Sequence, residues 1–329
     1  MPTVSILVKA LNEERRIAQC LQAAVREAAL VDGEVIVVDS LSTDRTVAIA
    51  KQFAVRIVQF DALADRGCGA AVQLGYQYAR GEFVYVLDAD MVLQPGFLTL
   101  ALSYLHENID LAGVGGKVRD TALRTVADYR RHSTAETQSA NSFVNELGGG
   151  GLYRVAAVNE TGYLAHRGLA AYEEAELGAR LRSCGWRLLR LVNTAVLHEG
   201  HAENDWQMLK RQWRNGRAQA NGAVLRAALG RRWFWRLARK QAFVLAAPAL
   251  HSLATVIAVL VGDGMASASV AWGVSWVTVW SLVAVRKKGA INSLRTLLLW
   301  HYSSLAALIG VLRPVVDPFG PVAGHELSL

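Results

Sequence analysis

The sequence predicts an α/β fold in its N-terminal part, built on an open, mostly parallel sheet, followed by apolar helices near its C-terminus. Short apolar runs alternate with helical patterns over roughly the first hundred residues, which is typical of parallel strands joined by crossover helices. These runs are continuous rather than alternating, as expected for strands that helices cover on both faces. A basic, tryptophan-rich segment then precedes long apolar stretches, a pattern typical of membrane association.

The ends of the predicted strands indicate where ligands bind. The strand-like runs are residues 4–8, 34–38, 55–60 and 83–87. In an open parallel sheet, ligands bind beyond the carboxyl ends of the strands. Functional residues are therefore expected in the segments that follow these runs, at 9–14, 39–44, 61–69 and 88–90.

A change of pattern near residue 113 predicts a second half of the same domain. This half contains a glycine-rich strand, a polar helical stretch and a second glycine-rich segment at 148–154. Helical patterns follow at 173–183 and 206–229, separated by a strand-like segment at 186–197. We therefore expect an N-terminal domain with halves at 1–112 and 113–229.

The C-terminal region predicts membrane attachment. A basic interfacial helix is expected at 230–240, apolar stretches at 241–261, 268–285 and 294–312 within the region 241–312, and a tail at 313–329. Two transmembrane helices are expected, and a third if the last stretch spans, in which case the tail ends outside. The alternative for that stretch is an interfacial or buried helix, because Arg295 and His301 would be costly in mid-bilayer. By the positive-inside rule, the basic segments 231–240 and 286–295 are expected in the cytoplasm.

Composition favours a bilayer over nucleic acid as the partner of the basic residues. The chain has 52% hydrophobic residues and a formal net charge of +7, and its cations collect beside the apolar stretches, where anionic lipid is the simplest partner. Cys20, Cys68 and Cys184 show no disulfide or zinc spacing. The N-terminal apolar run lacks a basic start and a cleavage site, so no secretory signal is expected and the N-terminal domain should stay in the cytoplasm.

Carboxylates follow two of the strand-like runs. Asp88 and Asp90 are two residues apart, and the two-residue repeat of a strand places them on one side. Such a pair suits Mg²⁺ or Mn²⁺ bound with phosphate oxygens, which would neutralise charge on a diphosphate leaving group; the alternative is a solvated turn. Asp39 could accept a hydrogen bond from a ribose or a base, or serve only the turn before the next helix.

Several motifs, in this order along the chain, resemble the family 2 glycosyltransferases, whose catalytic domain has the GT-A fold. They are VSILVKALNEE at 4–14, VVDSLSTDRT at 37–46, the Asp-Ala-Asp at 88–90 and the Pro-Gly-Phe at 95–97. The resemblance implies a nucleotide-sugar-binding half at 1–112, an acceptor-side half at 113–229 and UDP as the nucleotide. It implies donor binding by Ala10, Leu11, Asn12, Glu14, Asp39, Arg66, Asp88 and Ala89, with Asp88 and Asp90 as metal ligands.

The resemblance continues on the acceptor side. It implies acceptor contacts for Gly149, Gly150 and Glu173, and it aligns Glu174 with the catalytic base of the family. The family usually has Glu-Asp here, so Glu174 keeps the carboxylate but adds a methylene, which alters its reach toward an acceptor hydroxyl. The alternative is that Glu173, Glu174 and Glu176 are first-turn acids favoured only by the helix dipole.

Three further residues complete the expected site. By the same resemblance, His198 is a third metal ligand, or alternatively a packed imidazole near Trp206, and Arg211 and Arg214 assist the departing diphosphate. The segment around them lacks the Gln-x-x-Arg-Trp spacing of processive polysaccharide synthases, which favours transfer of a single sugar.

Together these features predict an inverting, metal-dependent transferase of polysaccharide biosynthesis. It would move one sugar from a nucleotide sugar to a hydroxyl of a lipid or lipid-linked saccharide at the inner face of the bacterial cytoplasmic membrane. A polyprenyl phosphate is the alternative acceptor and, being already an anion, would need no base. A sugar nucleotidyltransferase would need a glycine-rich loop after the first strand, which this chain lacks, and intact carboxylates argue against a non-catalytic membrane scaffold.

Overall fold

The computed structural model describes residues 1–200, 203–261, 265–287 and 290–328. Its contacts divide the chain into two units, which are Met1–Arg214 with Val315–Leu329, and Asn215–Pro314. The boundary that the sequence suggested at residue 229 therefore lies inside the second unit. The C-terminal tail belongs to the first unit.

The first unit is built on a ten-stranded mixed sheet. Its strands are β1 (Val4–Ala10), β2 (Gly33–Asp39), β3 (Arg56–Phe60), β4 (Phe83–Asp88), β5 (Met91–Leu93), β6 (Leu111–Asp120), β7 (Ser142–Phe143), β8 (Gly151–Arg154), β9 (Arg187–His198) and β10 (Gly324–Glu326). The order is β10-β3-β2-β1-β4-β8-β6-β9-β5, and β7 pairs with β9. Strands β3, β2, β1 and β4 run parallel, whereas β8 is antiparallel to both its neighbours. The predicted α/β sheet is confirmed, with antiparallel strands in its second half.

Helices cover both faces of this sheet. The helices of the first unit are α1 (Ile17–Leu30), α2 (Thr46–Ala50), α3 (Cys68–Tyr78), α4 (Phe97–Glu107), α5 (Val126–Thr137), α6 (Val155–Thr161), α7 (Glu173–Ser183) and α8 (Asp205–Arg214). Ile17 of α1 and Leu98 of α4 belong to the core on one face, and Leu74 of α3 and Leu181 of α7 belong to the core on the other. This double cover explains why the strand sequences are continuously apolar.

The parallel strands bring three loops to one edge. Strand β1 lies between β2 and β4, with Ala10 opposite Asp39 and Lys9 opposite Asp88. The backbone N–H of Ala89 donates to the carbonyl of Lys9 at 3.0 Å. The segments that follow β1, β2 and β4 therefore meet where the sequence located its candidate residues.

The helical pattern at 206–229 forms two helices rather than one. Helix α8 ends at Arg214, and α9 (Ala220–Ala228) begins six residues later. Gly216 lies between them with a φ of +79°, a left-handed conformation that residues with a Cβ rarely adopt. The glycine therefore allows the turn that separates the two helices.

The second unit contains four helices among its described residues: α9, α10 (Phe234–Val261), α11 (Met265–Lys287) and α12 (Ala290–Val311). The predicted basic helix at 230–240 is not separate, because residues 234–240 form the first turns of α10. One described stretch, Ala266–Val285, is long and apolar enough to cross a membrane, and Ala249–Val261 and Thr296–Val311 are shorter apolar stretches. The number of transmembrane helices remains a prediction.

Candidate active site

The loops after β1 and β2 are joined by hydrogen bonds. Asn12 has a positive φ of 56°, its Oδ1 accepts from Thr43 N at 2.8 Å and its N–H donates to Ser42 Oγ at 2.9 Å. The N–H of Glu14 donates to Asp44 Oδ2 at 3.1 Å. These bonds hold the two loops as one structural element at the end of the sheet.

Asp39 closes β2 and is fully buried. Its Oδ2 accepts hydrogen bonds from Ser42 N at 3.0 Å and Gln59 Nε2 at 2.8 Å, whereas its Oδ1 has no partner among the described residues. A buried acceptor without a partner is costly, so this oxygen is suited to a donor group of a ligand. The other donor-side residues lie at the same edge: Ala10 and Ala89 are buried, and Leu11 and Arg66 are exposed.

A largely buried lysine connects two carboxylates that the sequence assigned to different halves of the domain. Lys9 Nζ lies 2.8 Å from Asp88 Oδ1 and 3.6 Å from Glu173 Oε1, and its side chain is 12% exposed. Burial lowers the pKa of Lys9, but the two carboxylates outweigh it and hold the pKa well above its ordinary value. Lys9 therefore remains cationic and links Asp88 to Glu173.

Glu174 lies in the first turn of α7, beside this cluster, and lines a small cavity together with Tyr153. Burial raises the pKa of Glu174 to about 7; the Glu173 carboxylate adds to the rise and Lys9 opposes it. A carboxylate with a pKa near neutrality can both accept and release a proton at neutral pH. Glu174 thus has the acid–base properties that a general base requires.

The third acid of that turn has a different role. Glu176 Oε2 forms an ion pair with Arg180 at 3.0 Å, both side chains being 1% exposed, and Glu176 Oε1 accepts from the hydroxyl of Tyr163 at 2.8 Å. Arg180 also donates to the carbonyl oxygen of Leu164 at 3.3 Å. Glu176 therefore has a structural role, because it fastens α7 to the preceding loop.

His198 ends β9 and is held between two aspartates. Its Nδ1 lies 2.6 Å from Asp120 Oδ1, and its Nε2 lies 3.4 Å from Asp90 Oδ2. Arg131 donates to both oxygens of Asp120, at 3.1 and 2.8 Å. Burial lowers the pKa of His198, but the hydrogen bonds to the two aspartates outweigh it and raise the pKa above its ordinary value. A carboxylate that fixes one ring nitrogen is typical of histidines that bind a metal through the other.

The three predicted metal ligands fall into two groups. Asp90 and His198 lie together, whereas Asp88 Oδ1 is paired with Lys9. Among the described residues, no cluster of three or more His, Cys, Asp or Glu side chains is arranged to hold a metal. One or two protein ligands with substrate phosphates and waters are, however, the usual shell of Mg²⁺ in nucleotide enzymes. The side chains present fit a metal that binds together with a diphosphate.

Gly149 and Gly150 have a packing role. A Cβ on Gly149 would lie 2.5 Å from Met91 Cε, and a Cβ on Gly150, whose φ is +81°, would lie 2.7 Å from the Tyr85 hydroxyl oxygen. Close packing therefore explains both glycines, and contact with an acceptor stays a prediction.

Arg211 and Arg214 lie on α8. The Nε of Arg211 is 2.9 Å from Glu203 Oε2, and Arg214, the last residue of the helix, is exposed. Their role at a leaving group also stays a prediction.

Sequence reasoning placed Lys9 in the segment 9–14 but gave it no role of its own, and it missed Asp120 and Arg131. A cation at the end of an apolar run was a visible signal for Lys9, since such a position lies at the ligand edge of the sheet. Asp120 also ends a strand, but its importance depends on the register that places it opposite His198 in the pairing of β6 with β9. The two residues are 78 positions apart in sequence, so local pattern does not reveal this pair.

Known proteins resemble the part of the chain that contains β1 to β4. The profile described as glycosyl transferase family 2 matches residues 5–161. Residues 5–161 form a family 2 glycosyltransferase domain. The putative glycosyltransferase EpsH of Bacillus subtilis is 31% identical to this chain over 150 residues, which are 44% of this chain and 43% of that protein. The chain spans less than half the length of the first curated relatives that it matches.

Solved structures share the fold over most of the chain. The mannosyltransferase PcManGT from Pyrobaculum calidifontis, in complex with GDP-Man and Mn²⁺, is 19% identical with a TM-score of 0.62, covering 94% of this chain and 87% of that one. TarS 1–349 of S. aureus, in complex with UDP-GlcNAc, is 16% identical with a TM-score of 0.53, covering 94% and 89%. At these identities the likeness concerns the fold alone. The predicted GT-A fold of the glycosyltransferase domain is confirmed.

Proposed function

We propose that the chain is an inverting, metal-dependent glycosyltransferase that moves one sugar from a UDP-linked donor to a hydroxyl of a lipid or lipid-linked saccharide at the inner face of the cytoplasmic membrane. One observation carries this proposal. The Asp88 carboxylate, the Asp90–His198 pair and Glu174 all lie at the carboxyl edge of one sheet, and the pKa of Glu174 is raised to about 7.

Asp39 and the loops beside it would bind the nucleotide. The Oδ1 of Asp39 can accept a hydrogen bond from an N–H of a base or an O–H of a ribose. Asn12 and Glu14 hold the surrounding backbone in place. Uracil and guanine both carry suitable N–H donors, so the preference for UDP rests on the family resemblance and requires a direct test.

Asp90 and His198 would hold a Mg²⁺ or Mn²⁺ ion against the donor diphosphate, with Asp88 beside them. The ion, when bound, neutralises negative charge that grows on the diphosphate as it leaves. Asp120 would keep Nδ1 of His198 occupied so that Nε2 points toward the ion. Arg211 and Arg214 are proposed to add positive charge near the leaving group.

Glu174 would accept the proton of the acceptor hydroxyl. The hydroxyl oxygen forms a bond to the anomeric carbon while the bond from that carbon to the phosphate oxygen breaks. The electron pair leaves with the nucleoside diphosphate, and the proton moves to Glu174. A single displacement of this kind inverts the anomeric configuration. Gly149, Gly150 and Glu173 are the proposed acceptor-side contacts.

The second unit supports a lipid acceptor. Residues 231–240 are rich in arginine and tryptophan, a composition that favours an anionic interface, and one helical stretch has the length and composition of a membrane span. An enzyme attached in this way meets an acceptor that is itself confined to the bilayer.

The experiment is a donor and acceptor screen on membranes that contain the full-length chain. Radiolabelled UDP-sugars and GDP-sugars are supplied with extracted lipids, in the presence and absence of a chelator, and membranes with Asp90→Asn serve as the inactive control. We expect label in a lipid product from one UDP-sugar, dependent on a divalent ion.

The stability of the product then identifies the acceptor. In mild acid, a sugar on a hydroxyl should stay attached to its lipid or saccharide, whereas a sugar on a polyprenyl phosphate should be released as the free monosaccharide. Release of the labelled free monosaccharide would select the phosphate acceptor. Formation of a nucleotide sugar from a sugar phosphate, or undiminished transfer in excess chelator, would contradict the proposal.

A further inference from the structure

The C-terminal segment of the chain is built into the first unit. Strand β10 pairs antiparallel with β3, with Gly324 opposite Phe60 and Glu326 opposite Val58. Arg56 makes two hydrogen bonds of 2.8 Å to the carboxylate of Glu326. The tail thus provides the edge strand of the sheet.

Contacts ahead of β10 fasten the same segment. The side chain of Gln77 donates to the carbonyl of Val322 at 3.0 Å and accepts from its N–H at 2.8 Å. The ring of Phe319 packs edge-on against Tyr163 at 5.3 Å between centroids, and Arg167 donates to the carbonyl of Pro321. These contacts attach residues 319–326 to three separate parts of the first unit.

This attachment restricts how the chain can pass a membrane. A strand shares backbone hydrogen bonds with its sheet, and polar backbone groups without partners are strongly disfavoured in the hydrocarbon region. The whole sheet, β10 included, must therefore lie on one side of the bilayer. The chain leaves the first unit at Arg214 and re-enters it at Val315, so the residues between can cross the bilayer only an even number of times.

Helix α12 is the one that fits least well as a span. A helix needs about 20 apolar residues to cross, and the apolar sequence stretch 294–312 that forms most of α12 includes the cation Arg295. By contrast, residues 241–261 of α10 contain no Asp, Glu, Lys or Arg, and α11 contains the long apolar stretch Ala266–Val285.

Contacts at the C-terminal end of α12 agree with this. Its backbone approaches α9 so closely that a Cβ on Gly222 would lie 1.7 Å from the carbonyl oxygen of Ala307, and a Cβ on Gly310 would lie 2.0 Å from that of Gln219. Helix α9 precedes the first apolar stretch and, at nine residues, is too short to cross. The C-terminal part of α12 is therefore held on the side from which the chain enters the membrane.

We infer that α10 and α11 cross the bilayer as a hairpin, that α12 does not cross, and that the tail lies on the same side as the glycosyltransferase domain. The inference rests on the membrane attachment in the proposed function and goes beyond it by fixing the number of crossings. Of the two sequence-based alternatives for the third apolar stretch, it selects the non-spanning one.

The test uses single cysteine substitutions at exposed positions in the full-length protein. Ala266→Cys reports the start of α11, Leu312→Cys the end of α12, and Ser328→Cys the tail. Spheroplasts are treated with a membrane-impermeant maleimide before and after permeabilisation, and the unsubstituted protein, with its three native cysteines, gives the background. Transferase activity of the same membranes confirms that each variant is folded.

The inference predicts that Ala266→Cys reacts in intact spheroplasts, and that Leu312→Cys and Ser328→Cys react above background only after permeabilisation. Reaction of Leu312→Cys or Ser328→Cys in intact spheroplasts would show that α12 crosses and would overturn it. Protection of Ala266→Cys would overturn the hairpin. Either result with activity preserved rejects the topology while the proposed function stands.

Discussion

The two sides of the candidate site hold their carboxylates in different ways. On the donor side, Asp39 accepts hydrogen bonds from a backbone N–H and a side-chain amide, both neutral. On the catalytic side, Lys9 holds Asp88 and His198 lies beside Asp90. The Lys9–Asp88 and His198–Asp90 contacts join two titratable groups and therefore depend on protonation and bound ions, whereas the neutral donors to Asp39 do not titrate. We therefore expect the donor side to set donor affinity and the catalytic side to set turnover, metal affinity and pH dependence.

The largest effect should come from Glu174→Gln, because the amide cannot accept the proton of a hydroxyl acceptor. General-base catalysis typically contributes about 10²–10⁴ in rate, so kcat should fall by about that factor while the KM for the donor stays nearly constant. Rates must be measured at saturating donor and acceptor. Glu107→Gln, at the exposed end of α4, is the matched control, and near wild-type kcat in Glu174→Gln would reject the base and favour a phosphate acceptor.

A smaller effect is expected for Asp120→Asn, because Asp120 would act on the metal only through His198. Loss of such a supporting carboxylate typically costs about 10- to 100-fold in metal affinity or activity. The Mn²⁺ concentration for half-maximal activity should rise within that range, and excess Mn²⁺ should restore much of the rate. Asp110→Asn, which removes an exposed partner of Arg187, should leave the Mn²⁺ titration unchanged. An unchanged Mn²⁺ titration in Asp120→Asn would show that His198 does not bind the metal.

On the donor side, Asp39→Asn should weaken binding without changing the chemistry. A hydrogen bond to a charged group contributes about 1.5–3 kcal/mol, so the KM for the donor should rise about 10- to 100-fold with little loss of kcat. Steady-state kinetics with varied donor provide the measurement, and Asp32→Asn, at an exposed position just before β2, is the control. A large fall in kcat at unchanged KM would remove the proposed difference between the two sides.

The smallest effect concerns pH. Since the pKa of Glu174 is raised to about 7, kcat/KM should fall as pH drops below about 7, where the carboxyl is protonated and cannot accept a proton. Lys9 lowers that pKa, so Lys9→Met should move the acidic limb of the profile to higher pH. The exposed Lys51→Met should not move it. A limb that stays in place in Lys9→Met would assign the titration to another group.

Local pattern determined much of the fold and part of the site. Strand-like runs at 34–38 and 83–87 correspond to β2 at Gly33–Asp39 and β4 at Phe83–Asp88, because strands buried on both faces are continuously apolar. Since parallel strands end at one edge, the sequence alone was enough to predict that Asp39 and Asp88 lie there. The family motifs in the same segments also predicted the glycosyltransferase domain.

Only the tertiary structure decided which acids act together. Glu173, Glu174 and Glu176 share one helical turn, yet Glu176 pairs with Arg180 while Glu173 lies near Lys9. Neighbouring acids on a helix point in different directions, and which of them meets a partner depends on how the helix packs.

Pairings between distant strands also could not be predicted from the sequence. The contact of His198 with Asp120 requires the register of β6 with β9, and the pairing of β10 with β3 joins the tail to a strand more than 260 residues earlier. A short strand of Gly-His-Glu has no distinctive apolar pattern of its own. Its position is fixed by hydrogen bonds to the edge of β3, which exist only once the sheet has formed.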